Sequence, residues 1–147
     1  MFTVLSSCFL LIALTTLIHF EVLGELNGRL PALAIPSRSK LLVVIFSAFA
    51  AHVAEIMMYG LALYGLVRYG GAGTLSGPAG FSLASCLYFS AETFTSLGFG
   101  DLVPVGPIRL LAGAEALNGL LLIGWSASYA YLAMERFWTG GKPGRRH

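Results

Sequence analysis

The chain has 147 residues, 56% of them apolar and 11% charged, with a mean hydropathy of +0.79. Soluble domains carry about 25% charged residues, so this composition excludes an ordinary soluble enzyme or binding module and points to an integral membrane protein. A net charge of +2 gives no reason to expect a nucleic-acid partner, and the length does not allow several large domains.

Residues 1–20 hold no Lys, Arg, Asp or Glu. Residues 2–23 match the roughly 20 residues that a spanning helix needs. The start carries no positive charge and the apolar run ends without a small-x-small cleavage pattern, so it reads as a retained helix and not a leader. Residues 24–40 form a polar connection with Pro31, Pro36, Arg29, Arg38 and Lys40. Residues 41–67 read as a second span, followed by a Gly/Ser/Pro linker at 70–80, a composition that marks a loop. The apolar run 81–95 is too short to cross a bilayer and reads as a re-entrant helix. Pro107 suits a helix's first turn and opens a third span at 107–136. Phe137 and Trp138 are expected at the interface, and residues 137–147 form a short basic tail. Cys8 and Cys86 fall in apolar stretches and read as packing, with no metal-type spacing.

Arg29, Arg38 and Lys40 in the first connection, and Arg136, Lys142, Arg145 and Arg146 at the far end, place both on the cytoplasmic side by the positive-inside rule. Three spans then put the N-terminus outside, and the 70–106 region enters from the outer face. The compact organisation suggests a prokaryotic inner membrane.

The stretch from Glu92 to Asp101 reads Glu-Thr-Phe-Thr-Ser-Leu-Gly-Phe-Gly-Asp. A Gly-aromatic-Gly triplet permits backbone conformations that a Cβ forbids. Irregular backbone at membrane depth survives only where it lines a polar path or is buried in protein. Thr95 to Asp101 resembles the signature of potassium channels, T-[ST]-[VIL]-G-[YF]-G-D. The resemblance covers residues 41–136 and implies an all-α membrane protein of three spanning helices with a re-entrant pore helix and a filter loop. By position it implies that Ser96, Leu97, Gly98, Phe99 and Gly100 form the filter, with K⁺ bound there and nowhere else, and no other cofactor. Ser96 takes the usual threonine place without its methyl, and Phe99 replaces the commoner tyrosine. Glu92, Thr95 and Asp101 match filter supports, with Glu92 and Asp101 expected to share a proton. Tyr88 and Phe89 match an aromatic cuff expected to hold by packing.

The third span resembles the family's inner helix. Gly119 falls at the hinge position, Gly124 is a second candidate, and close helix packing is the competing reading for such a glycine. Ile123, Ala127 and Tyr131 follow on one face, as cavity lining would. One filter segment per chain implies a homotetramer. The function implied is a passive potassium-selective pore in membrane lipid, not an enzyme. The alternatives are a weakly selective monovalent cation channel and a non-conducting scaffold or regulatory subunit. With no regular Arg-rich helix there is no voltage sensor of the usual kind.

Ionisable residues inside spans are functional candidates by default. His52 and Glu55 are one turn apart on one face, and Asn118 lies at nearly the same depth in the third span. An interhelical cluster of His52, Glu55 and Asn118 is expected. Two ligands without a third make a weak metal site. His19 and Glu21 are expected to snorkel to the interface.

Overall fold

The computed structural model describes residues 1–78 and 80–139. Three long helices dominate: α1 (Phe2–Arg29), α2 (Ser37–Arg68) and α4 (Ile108–Thr139). A short α3 (Leu83–Phe94) lies between the last two in sequence. All three long helices are apolar enough and long enough to cross a membrane. The basic tail expected at 140–147 and the side chain of Trp138 lie outside the described residues.

The spanning helices run past the limits that hydropathy suggests. α1 continues through Arg29 rather than ending at residue 23, because Glu25 and Arg29 pair one turn apart and keep the polar segment helical. A 3₁₀ turn at Leu30–Ala32 ends it. α2 starts at Ser37, directly after Pro36, whose extended conformation (φ −56°, ψ 145°) suits the residue before a helix. α4 starts at Ile108, so Pro107 sits just outside the first turn. Hydropathy finds where a helix leaves the lipid; helical hydrogen bonding does not stop there.

Residues 70–80 are expected to form a loop, and residues 101–106 to lead out of the 96–100 segment without regular structure. Within them β1 (Thr74–Ser76) and β2 (Val103–Val105) pair antiparallel, Leu75 opposite Pro104. Leu75 is buried, so the ribbon has an apolar anchor. It ties the approach to α3 to the exit from the 96–100 segment.

α1 buries one stripe: Val4, Cys8, Leu11, Thr15, His19 and Leu23. The spacing of three and four residues keeps these on a single face, and that face packs against α2 and α4. α2 shows an outer row of Leu42, Phe46, Phe49, Val53, Met57 and Leu61, all exposed on the single chain. The main core joins Val4, Cys8 and Leu11 to Tyr59, Leu63, Cys86, Phe94, Ile108 and Leu122. Cys8 and Cys86 are both free and buried, and burial pushes the Cys86 thiol up to about 11; both fill space.

α3 begins where Ser82, in an extended conformation, accepts the Ser85 amide on its hydroxyl at 3.0 Å. This satisfies one of the four unpaired N–H groups of a helix start. At the other end α4 comes very close. A Cβ at Gly119 would collide with the backbone carbonyl of Phe94, so glycine there is what lets the two helices touch. At Gly124 a Cβ would meet nothing within 4 Å. Gly119→Ala is therefore expected to destabilise the chain by about 1–3 kcal/mol, the usual range for overpacking, while Gly124→Ala leaves stability unchanged or raised. Thermal unfolding of the two variants in the same detergent checks the contrast.

Candidate pore-lining site

The segment after α3 is shaped by the way the helix ends. Ser96 has φ +57°, the left-handed conformation that usually selects glycine after a helix. The Ser96 amide donates to the Thr93 carbonyl at 3.0 Å, and the Leu97 amide to the Glu92 carbonyl at 2.8 Å. These are the two bonds of a Schellman motif. A serine in this conformation costs about 1–2 kcal/mol, so the segment is held there by its surroundings.

Glu92 holds the next three amides in turn. Its carbonyl accepts from Leu97 and also from Gly98 at 3.3 Å. Its side-chain Oε2 accepts from the Phe99 amide at 3.3 Å. In a planar trans peptide the N–H and the preceding C=O point in opposite directions. Three amides turned toward Glu92 therefore turn the carbonyls of Ser96, Leu97 and Gly98 the other way. Positive φ at Ser96, Gly98 and Gly100, with Leu97 and Phe99 on the negative side, is the alternation that puts successive peptides in register. Repeated left- and right-handed residues line N–H groups along one side of a chain, which leaves the carbonyls along the other. Residues 95–100 are exposed, and Leu97 and Phe99 are each more than half exposed.

Supporting side chains stand around this segment. The Thr95 hydroxyl donates to the Ala91 carbonyl at 2.8 Å, bracing the last turn of α3. The Tyr88 ring stacks on Phe99 at 6.5 Å and an 8° interplanar angle, and its hydroxyl donates to Asp101 Oδ1 at 3.4 Å. The cuff expected from Tyr88 and Phe89 is thus reduced to Tyr88. Phe89, one position on and rotated about 100° around the helix, is buried in the core. Glu92 and Asp101 were expected to share a proton. Instead each carboxylate binds its own donor, and among the described residues no hydrogen bond joins them. Burial still raises the Glu92 carboxyl above its ordinary value, the Asp101 charge adds to this, and the Phe99 amide opposes it.

On α4, Ile123 packs against the main core, while Ala127 and Tyr131 are exposed on the single chain. Gly119 has a packing reason in the Phe94 contact.

The polar cluster differs in composition from the one expected. Glu55 Oε2 is 2.9 Å from His52 Nδ1, and Oε1 is 2.9 Å from His19 Nδ1. Asn118 takes no part. Its amide donates to Thr15 Oγ1 at 2.8 Å and to the Tyr59 hydroxyl at 3.2 Å. His19, expected at the interface, is fully buried; Glu55 facing it replaces the water that snorkelling would reach. α1 thereby supplies Thr15 and His19 to two polar networks that sequence reasoning assigned to α2 and α4 alone. The signal available was the spacing of Thr15 and His19, one turn apart on the stripe begun by Val4, Cys8 and Leu11. A third network joins the Ser90 hydroxyl to the Ile56 carbonyl at 2.8 Å and to the Glu115 carboxylate, fastening α3 to both neighbours.

The ion channel family matches residues 40–136, the stretch that holds α2, α3, the 96–100 segment and most of α4. The chain belongs to the ion channel family. Over 97 residues this channel-family chain is 28% identical to the inward rectifier potassium channel Kirbac3.1 of Paramagnetospirillum magnetotacticum, covering 65% of the chain and 33% of the relative. The chain thus spans about a third of that relative's length. No solved structure matches it. α1 lies outside the family match.

The Glu92 side chain can be tested apart from the helix it ends. Glu92→Ala removes the acceptor of the Phe99 amide and is expected to cost about 1–3 kcal/mol; Glu92→Gln retains an acceptor oxygen and keeps most of this stability. A carboxyl raised in the folded state favours folding below its ordinary range and loses that contribution as pH rises through the raised value. The thermal midpoint of the parent is expected to fall relative to that of Glu92→Gln as pH increases from 4 to 8. Parallel curves count against a raised Glu92 carboxyl, and equal stability of Glu92→Ala and Glu92→Gln counts against the brace.

Proposed function

We propose that this chain is one quarter of a homotetrameric, potassium-selective pore that conducts K⁺ passively. The observation that carries this reading is the set of three amides held by Glu92, which leaves the carbonyls of Ser96, Leu97 and Gly98 facing away from the supporting helix. Four such segments around an axis present rings of carbonyl oxygens, the arrangement that replaces a potassium ion's hydration shell. One segment per chain calls for four chains with cyclic symmetry. The exposed side chains of Leu97 and Phe99, and of Ala127 and Tyr131 on α4, are then surfaces for neighbouring subunits and for the cavity. α3 directs its C-terminal end, the negative end of its dipole, toward the same space, which favours a cation there.

In this reading Ser96 to Gly100 coordinate the ion, Glu92, Thr95, Tyr88 and Asp101 hold them, and no catalysis or cofactor beyond the permeant ion is involved. Arg29, Arg38, Lys40 and Arg136 gather at one end of the bundle, where Arg136 approaches Asn27 at 3.5 Å and Lys40 lies 5.3 Å from the centre of the Phe137 ring. The positive-inside rule makes that end cytoplasmic, with the 96–100 segment entering from outside. The potassium channel named above as a relative supports the choice of ion.

A weakly selective cation pore is the second reading, and Ser96 is its basis. The residue lacks threonine's methyl and sits in a strained conformation, and selectivity depends on cavity size and the field strength of the carbonyls. Purified protein in a planar bilayer, with K⁺ on one side and Na⁺ on the other, separates the two. A reversal potential strongly favouring K⁺, lost in Gly98→Ala, is expected. A reversal near zero with robust current supports the weakly selective pore, and an intact tetramer without current supports a non-conducting scaffold.

A further inference from the structure

Four polar groups from three helices close a ring within the membrane-spanning bundle. Glu55 offers one oxygen to His19 Nδ1 and the other to His52 Nδ1, each at 2.9 Å. On the opposite edges of the two rings, His19 Nε2 and His52 Nε2 converge on the Ser126 hydroxyl at 3.0 and 3.1 Å. The rings stack 5.1 Å apart. His19 and Glu55 are fully buried and His52 is 17% exposed.

The number of protons this ring holds follows from donor accounting. An ionised Glu55 only accepts, so both Nδ1 atoms must carry hydrogen. The Ser126 hydroxyl has one proton and can donate to one Nε2 only. The other Nε2 then faces a serine lone pair and needs a proton of its own. With Glu55 ionised, one imidazole in the ring must therefore be an imidazolium. Its charge balances Glu55, and the network is both fully bonded and neutral. With Glu55 ionised, two neutral histidines would leave one contact without a hydrogen and Glu55 with an uncompensated charge, which is costly inside a membrane; the same single proton on Glu55 instead closes the ring around two neutral imidazoles. A divalent cation held by two neutral imidazoles and one carboxylate would leave one positive charge in the same place, so the proton suits the site better.

We propose that His19, His52, Glu55 and Ser126 form a binding site for a single proton, and that this proton fastens α1 to the pore helices. Every element packed around the ring fits this assignment. From α1 only His19 enters, since its charged neighbour Glu21 is exposed. α2 gives His52 and Glu55. α3 presents the Phe94 ring, 5.7 Å from His52, while Glu92 is turned to the Phe99 amide. α4 gives Ser126 and the Trp125 ring, 5.5 Å from His19, while Glu115 is bonded to Ser90. Among the described residues no ion pair joins the ring to a lysine or arginine. Phe94 is the last residue of the helix that leads into the 96–100 segment, so the proton site borders the base of the proposed filter.

Glu55→Gln provides the test, because an amide closes the same ring without the extra proton. The Gln oxygen accepts from one Nδ1–H and its NH₂ donates to the other Nδ1. That second imidazole then donates its Nε2–H to Ser126, and Ser126 donates to the first. The variant is expected to fold, with two neutral histidines. The experiment uses ¹⁵N-histidine-labelled full-length protein in lipid nanodiscs, on a His147→Asn background that leaves two histidines. At pH 7 the parent is expected to show one imidazolium per pair and Glu55→Gln none. Two neutral rings in the parent with an ionised Glu55 carboxylate, or an imidazolium that persists in Glu55→Gln, overturn the proposal. Stoichiometric Zn²⁺ binding by the parent that Glu55→Gln loses also overturns it, in favour of a metal site. No readout depends on ion flux, so the proposal stands or falls separately from the choice of permeant ion.

Discussion

Residue 92 is the point on which the 96–100 segment depends. A helix must end with several carbonyls unpaired, and here one residue turns that deficit into a scaffold. The Glu92 carbonyl takes two amides and its carboxylate a third, so an irregular backbone is fixed from behind through its N–H groups. Among the described residues no hydrogen bond reaches the carbonyls of Ser96, Leu97 and Gly98. Backbone at membrane depth is tolerated only if protein or a polar path satisfies it; in the proposed pore, Glu92 would supply the first on one side and the permeation path the second on the other. The strained Ser96 and the close approach at Gly119 are parts of the same arrangement: one starts the segment, the other presses α4 against the carbonyl just before it.

Behind that scaffold the bundle is joined by small polar groups more than by shape alone. Ser90 links α3 to α2 and α4. Asn118 links α4 to α1 and α2 through Thr15 and Tyr59. Glu55 and Ser126 link the same three helices through two histidines. Lipid tails are as apolar as leucine, so helices in a membrane gain little from burying apolar surface against each other, and interhelical hydrogen bonds and close packing take on more of the work. Three separate networks at successive depths resist sliding or rotation of any one helix in a way that a smooth apolar contact does not.

The spans and the short helix were legible because each leaves a local mark: an uncharged run of about 20 residues, and a run too short to cross. The ribbon was not, since three-residue strands leave no periodicity, and Thr74-Leu75-Ser76 sits in a stretch whose glycines and proline read as loop. Helix ends were misjudged where Glu25 and Arg29 continue α1 beyond the apolar limit. The polar interior was half legible. His52 and Glu55 share a helix face and were paired from spacing alone. His19 was misplaced because its depth depends on how α1 packs, and Asn118 because equal depth does not specify which way a side chain faces. Phe89 shows the same limit: adjacent aromatics on a helix point about 100° apart, and only packing decides which of them meets the filter-like segment.

The position of α1 in the chain also bears on biogenesis. It leaves the ribosome before α2 and α4, with Thr15 and His19 already on the face that must be buried. The acceptor for His19 lies 36 residues further along at Glu55, and its other partner, Ser126, lies 107 residues away. Between those events the imidazole has no partner from its own chain, so α1 must enter the bilayer with an unsatisfied group or wait beside the insertion machinery. Its pairing with α2 completes half of the ring, and the arrival of α4 closes it. A helix made before both of its partners is thus the last of the three to be fully settled.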